Sequence, residues 1–118
     1  IAQAAGVTPD PRMQGAPLPT TPENDRERVI TEWDGGYDGE SITLRSICRD
    51  GYVCTVCEPG TAHDGHEGEL YDLTADPLQF VNLWDDPARQ GLKRDLMADL
   101  YDNLPPARTP PLKQIALV

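Results

Sequence analysis

Cys54, Cys57, His63 and His66 form the densest group of chemistry-bearing side chains in the sequence. A C-x-x-C pair followed closely by H-x-x-H offers four soft or borderline ligands, the donor set of a tetrahedral zinc site. Two features weigh against it. Cys54 and Cys57 lie on a stretch that reads as a strand, where residues three apart leave opposite faces. Thr55-Val56 between them is poor turn material, and both histidines sit in a polar loop with Asp64 and Glu67. No metal site is assigned, and a small Cys/His metal-binding module is kept as an alternative. The thiols read instead as small apolar fillers. A disulfide is no better placed, because Cys48 faces Val53 across an Asp50-Gly51 turn and Cys54 points the other way. Asp34, Asp38 and Glu40 supply oxygen donors of the kind calcium takes, without the alternating spacing and distal bidentate Glu of a calcium loop. That segment reads as a solvated loop.

Composition narrows the function classes. A chain of 118 residues is one domain by size, and 12 Pro and 10 Gly against 38% hydrophobic content leave a modest core. The formal net charge of −10 excludes nucleic acid as a partner, since phosphate binding needs clustered Lys and Arg. It also disfavours anionic membrane surfaces, and no apolar run reaches the length of a membrane span. A free-standing acidic interaction module is the second alternative. Ile1 rather than Met opens the sequence, and the expectation is a segment of a longer polypeptide.

The elements that must position these residues follow in chain order. Residues 1–27 read as the end of a truncated helix, closed by Gly6, and a connector rich in proline (Pro9, Pro11, Pro17 and Pro19). Arg28–Asp34 is a β-rich strand with Val29, Thr31 and Trp33 on one face. Gly35–Glu40 reads as a loop, and Ser41–Cys48 as a second strand. Asp50-Gly51 predicts a two-residue hairpin turn, with Tyr52–Cys57 as the returning strand. Leu70, Tyr71 and Leu73 form a short strand-like run, stopped by Asp76-Pro77. Asp76 there reads as the N-cap of a helical turn beginning at Pro77, closed by Asn82 and Leu83. A last helix over Asp86–Leu104 carries Leu92, Leu96, Leu100 and Leu104 as one stripe, with Met97 beside it. The fold class is therefore α+β: a small antiparallel sheet of about four strands, with an amphipathic C-terminal helix on one face. Residues 28–104 form this subdomain, and 105–118 form a Pro-rich tail.

The stretch Glu69–Leu83, ELYDLTADPLQFVNL, closely resembles the segment near the C-terminus of sulfatases in the alkaline-phosphatase-like group, E-L-Y-D-L-x-x-D-P-x-E-x-x-N-L. Leu70, Tyr71, Asp72, Leu73, Asp76, Pro77, Asn82 and Leu83 match with Glu69, and Gln79 replaces the usual Glu. Leu44, Arg45, Ile47 and Tyr52 are similar to the family's L-R-x-I-R-T-x-R-Y-K hairpin. The pattern of Ala5-Gly6-Val7 followed by Gly15–Leu18 resembles the junction between its large and small domains. The resemblance implies the C-terminal portion of a sulfatase, which supports a catalytic domain missing from this chain and shapes the rim of its cleft. It further implies a sulfate-ester substrate, a divalent cation, usually calcium, and a formylglycine made from the Cys of a C-x-P-x-R motif.

That machinery has no counterpart here. Cys57-Glu-Pro-Gly-Thr61 resembles the motif but ends in Thr61, which has neither the charge nor the donor fork of arginine. Asp85-Asp86 resembles the paired metal-binding aspartates, yet precedes a helix, where capping explains it. No catalytic residue and no cofactor is therefore assigned to this chain. Trp33, Asp34 and Tyr37 are, by the resemblance, candidates for the substrate rim. The competing expectation is that Trp33 packs in the sheet core.

Overall fold

The computed structural model describes residues 5–11 and 26–106. The truncated helix and most of the expected connector lie outside the described residues, as does the tail from residue 107 onward. Four strands, β1 (Val29–Tyr37), β2 (Glu40–Arg49), β3 (Tyr52–Cys57) and β4 (Gly68–Asp72), form one antiparallel sheet in the order β1-β2-β3-β4. A 3₁₀ turn over Pro87–Arg89 then leads into the helix α1 (Gln90–Asn103). This is the α+β arrangement expected from the sequence.

Two tight turns set the register. Asp38 and Gly39 both take positive φ (53° and 85°), as do Asp50 and Gly51 (54° and 77°). This is the backbone of a turn whose twist matches antiparallel strands, and Asp-Gly is among the few pairs that adopt it readily. The first turn corrects the expectation of a loop over Gly35–Glu40. β1 runs on through Gly35, Gly36 and Tyr37, which pair with Ile42, Ser41 and Glu40. The second turn sets Cys48 opposite Val53 and Ile47 opposite Cys54, as expected.

The core lies between the sheet and α1. Ile47, Cys54, Val56 and Leu70 from the strands are buried against Leu96 and Leu100 of the helix and Trp84 of the preceding loop. Leu92, Met97 and Leu104 pack at its margin, so the expected stripe is the buried one. Each such side chain contributes about 1.5–3 kcal/mol by leaving water. Trp84 was not legible as core from the sequence. Its indole Nε1 donates to the His66 carbonyl at 2.9 Å, and its own carbonyl accepts from Gln90 and Lys93. Lys93 Nζ also stands 4.3 Å from the ring centroid, a cation–π contact.

The helix begins and ends for local reasons. Asp86 caps the 3₁₀ turn that leads into it, its carboxylate accepting from Ala88 N at 2.9 Å, with Pro87 at the first position of that turn, and α1 continues from Arg89 without a side-chain cap of its own. Leu104 leaves it in an extended conformation (φ −60°, ψ 132°), which its position before Pro105 favours. No described helix is long and apolar enough to cross a membrane.

Candidate functional site

The expected rim residues lie along β1 and its turn. Trp33 pairs with Leu44 and Asp34 with Thr43. Alternation along the strand therefore sends their side chains to opposite faces of the sheet. Trp33 is half exposed, at 49%, and lies on the face turned away from α1. It does not pack in the core, which corrects the competing expectation. Its indole folds over the backbone of Gly35, where an added Cβ would meet Trp33 Cζ2 at 2.6 Å. Asp34 lies on the helix side, where its carboxylate meets Arg45 Nη2 at 2.8 Å. Arg45 also reaches Glu32 at 3.6 Å and is itself well covered. Tyr37 ends the strand opposite Glu40, and its side chain lies outside the described residues. Trp33 and Asp34 are thus not brought together as one ligand-facing pair.

The Cys/His group is dispersed as well. Cys54 is buried in the core, and burial pushes its thiol up to about 11. Cys57 lies on the opposite face, its thiol also raised by burial and by the nearby carboxylates of Glu69 and Glu67. Neither has the electropositive, partly exposed setting that makes a cysteine a nucleophile. All three thiols are free. His63 Nδ1 lies 3.7 Å from Glu67, and the His66 amide is held by Asp64 in a loop turn. Among the described residues, no three metal-ligating side chains converge.

Thr61, standing where the formylglycine motif has Arg, accepts a hydrogen bond from the Ser41 amide at 2.6 Å. It ties the 58–67 loop to β2. Asp86 is committed to its cap. These residues fit neither a formylglycine site nor a divalent-cation site, and no chemical step runs through them.

The stretch Glu69–Leu83 shows how a motif of chemical residue types does structural work. Asp76 does not cap a helical turn, which corrects the expectation. Its carbonyl accepts from Gln79 N at 3.1 Å, and its carboxylate accepts from Val81 N at 2.8 Å, closing a loop. Gln79 takes φ +57°, which turns the chain out of a helical path after Pro77-Leu78. Asp72 accepts from the amides of Thr74 and Ala75, and those bonds hold its carboxyl below the usual range.

Asn82 reaches back to β4. Its Oδ1 accepts from Leu70 N and Trp84 N, each at 3.0 Å, while its Nδ2 donates to the Gly68 carbonyl at 3.1 Å. Leu83 N completes the edge by donating to Leu70 O at 2.8 Å. Tyr71 and Leu73 are half-buried on either side of this join.

Comparisons with known proteins agree with this fold. No family model matches the chain, and no curated protein does. Among solved structures, it is similar to the crystal structure of a putative sulfatase from Bacteroides thetaiotaomicron, with 25% sequence identity and a TM-score of 0.68. The similarity covers 86% of this chain and 22% of that one, so the chain spans under a quarter of that protein's length. The fold is sulfatase-like.

Proposed function

We propose that this chain is the C-terminal subdomain of a sulfatase, in which it buttresses the catalytic domain and shapes the rim of the cleft. One observation carries the reading: the similarity takes in most of this chain but only 22% of the solved sulfatase-like chain. A part of that size, with no convergent metal-ligating groups among its described residues, suits a supporting role. The nucleophile and the divalent cation then belong to the remainder of the polypeptide, with a sulfate ester as the substrate. Trp33, on the exposed side of β1 beside the Asp38-Gly39 turn, is the rim candidate this reading retains. Asp34 is engaged with Arg45 and serves the hairpin instead.

Hydrolysis of an aryl sulfate tests the reading. The protein from the full reading frame, coexpressed with a formylglycine-generating enzyme and supplied with calcium, is expected to turn it over. Cys57→Ala in that protein is expected to leave the rate unchanged. No turnover by the full protein, or loss of turnover in Cys57→Ala, would overturn the assignment.

A further inference from the structure

The sequence holds four Asp-Gly pairs: Asp34-Gly35, Asp38-Gly39, Asp50-Gly51 and Asp64-Gly65. In such a pair the glycine amide nitrogen can attack the preceding side-chain carboxyl, because glycine has no Cβ to shield it. The attack needs a carboxyl free to take up a proton, an amide free to approach it and a backbone free to turn. The fold withholds these at three of the pairs. Asp34 lies within β1, its carboxylate 2.8 Å from Arg45 Nη2, and the Trp33 indole lies over Gly35. Asp64 accepts from His66 N at 2.9 Å and Gly65 N donates to Glu67 at 3.2 Å, so electrophile and nucleophile are both engaged. The bond from the His66 amide, above all, holds the Asp64 carboxyl below its ordinary value and so in the unreactive ionised form.

The two hairpin turns share one backbone geometry but not one setting. Asp50 accepts from Arg49 Nε at 3.1 Å, and the Gly51 carbonyl accepts from Leu73 N at 2.8 Å. Thr74 Oγ1 also stands 3.2 Å from where a Gly51 Cβ would lie. Asp38 and Gly39 are both exposed, at the end of the edge strand β1. Among the described residues no donor reaches the Asp38 carboxylate, and a Cβ on Gly39 would meet nothing within 4 Å beyond its chain neighbours. A turn held only by its own strands opens at the least cost.

We propose that Asp38-Gly39 is a site of spontaneous aspartate isomerisation, to which the fold confines a reaction open in sequence to all four pairs. Gly39 N loses its proton and bonds to Asp38 Cγ, and the carboxyl OH leaves as water, closing a five-membered succinimide. Water then adds to one of the two ring carbonyls. Addition at Cγ restores aspartate. Addition at the main-chain carbonyl breaks its bond to Gly39 N and leaves isoaspartate, with the chain running through Cβ and Cγ. The main chain gains one atom, which a two-residue turn pairing Tyr37 with Glu40 has no room for. The product therefore loosens the end of β1, the strand that carries Trp33. This chemistry is independent of what the larger protein catalyses.

Ageing the full-length protein in mildly acidic water enriched in heavy oxygen tests this, since each passage through the succinimide takes up one labelled oxygen. Fragment spectra that separate Asp34 from Asp38 read the sites one by one. In the native protein, Asp38 is expected to take up label at least about tenfold faster than Asp34, Asp50 or Asp64. In denaturant, the four sites should label at similar rates. Equal native rates, a faster site elsewhere, or the native order repeated in denaturant would overturn the proposal. Aged protein should also become a substrate for an isoaspartyl methyltransferase, and Asp38→Glu, whose longer side chain closes the ring poorly, should lose most of that methylation. Undiminished methylation of Asp38→Glu would equally overturn it.

Discussion

Arg49 and Asp99 meet at 2.6 Å across the joint between the β2–β3 hairpin and α1. Asp99 also accepts from Arg28 Nε at 3.1 Å, just before β1, while Arg49 reaches Asp95 one helical turn away. One carboxylate thus ties the start of the sheet, its central hairpin and the helix together. The Arg49 hydrogen bond, aided by Arg28, holds the Asp99 carboxyl below its ordinary value.

The sign of the pH dependence follows from that direction. A carboxyl with a depressed folded pKa adds stability above the unfolded value of roughly 4 and loses it as pH falls through the folded value. Melting temperature should therefore drop on acidification below about pH 4, and Asp99→Asn should show a shallower acid limb. Parallel limbs for Asn and the parent chain would show that Asp99 is not linked to folding.

Leu96 is fully buried between sheet and helix. Leu96→Ala removes buried methylenes and leaves a cavity, at an expected cost of about 2–5 kcal/mol. Chemical denaturation should show a lower midpoint with a similar slope. An unchanged midpoint would mean that the stripe is not packed.

How much of this was legible beforehand differs by element. The leucine stripe and the Asp86 cap were readable because their cause is local: a 3.6-residue period and a side chain bonding an amide two residues on. The Asp50-Gly51 turn was readable for the same reason. Asp38-Gly39 carried the same signal but lay among the polar and glycine residues of a presumed loop. Trp33 illustrates a different limit. Alternation separates Val29, Thr31 and Trp33 from Ile30 and Glu32, but which set is buried depends on where α1 lands, more than fifty residues later. Asp76 failed in another way, since an aspartate before proline suits a helix cap and a closed loop equally well. The positive φ at Gln79 decided between them. The site candidates were legible only as residue types, because spacing cannot report that Trp33 and Asp34 face opposite ways.

Asp76 accepts from Val81 N at 2.8 Å, so Asp76→Ala should destabilise by about 0.5–1.5 kcal/mol. Asp76→Asn should cost less, since its amide oxygen still accepts. Equal losses for the two variants in urea titrations would point to a role for the charge rather than for the acceptor.

Asn82 makes three bonds to the backbone, two of them to β4. Asn82→Ala leaves the part-buried Leu70 amide without its acceptor, at about 1–3 kcal/mol. Asn82→Asp keeps the acceptor and loses only the donor to Gly68, so it should fall between Ala and the parent chain. Hydrogen exchange at the Leu70 amide reads the effect directly, and unchanged protection in Asn82→Ala would contradict the assignment.

The bonds along β4 also close one edge of the sheet to strand pairing. Leu70 N and O, Gly68 O and Asp72 O are all engaged by Asn82, Leu83 and Asp76. No incoming strand can pair there without displacing them. In the described sheet, β1 is the remaining edge. Open-ended stacking into fibrils needs two vacant edges per copy, one to receive and one to offer. A sheet with the β4 edge occupied in this way offers only β1 to a further strand, which leaves no route to an open-ended stack.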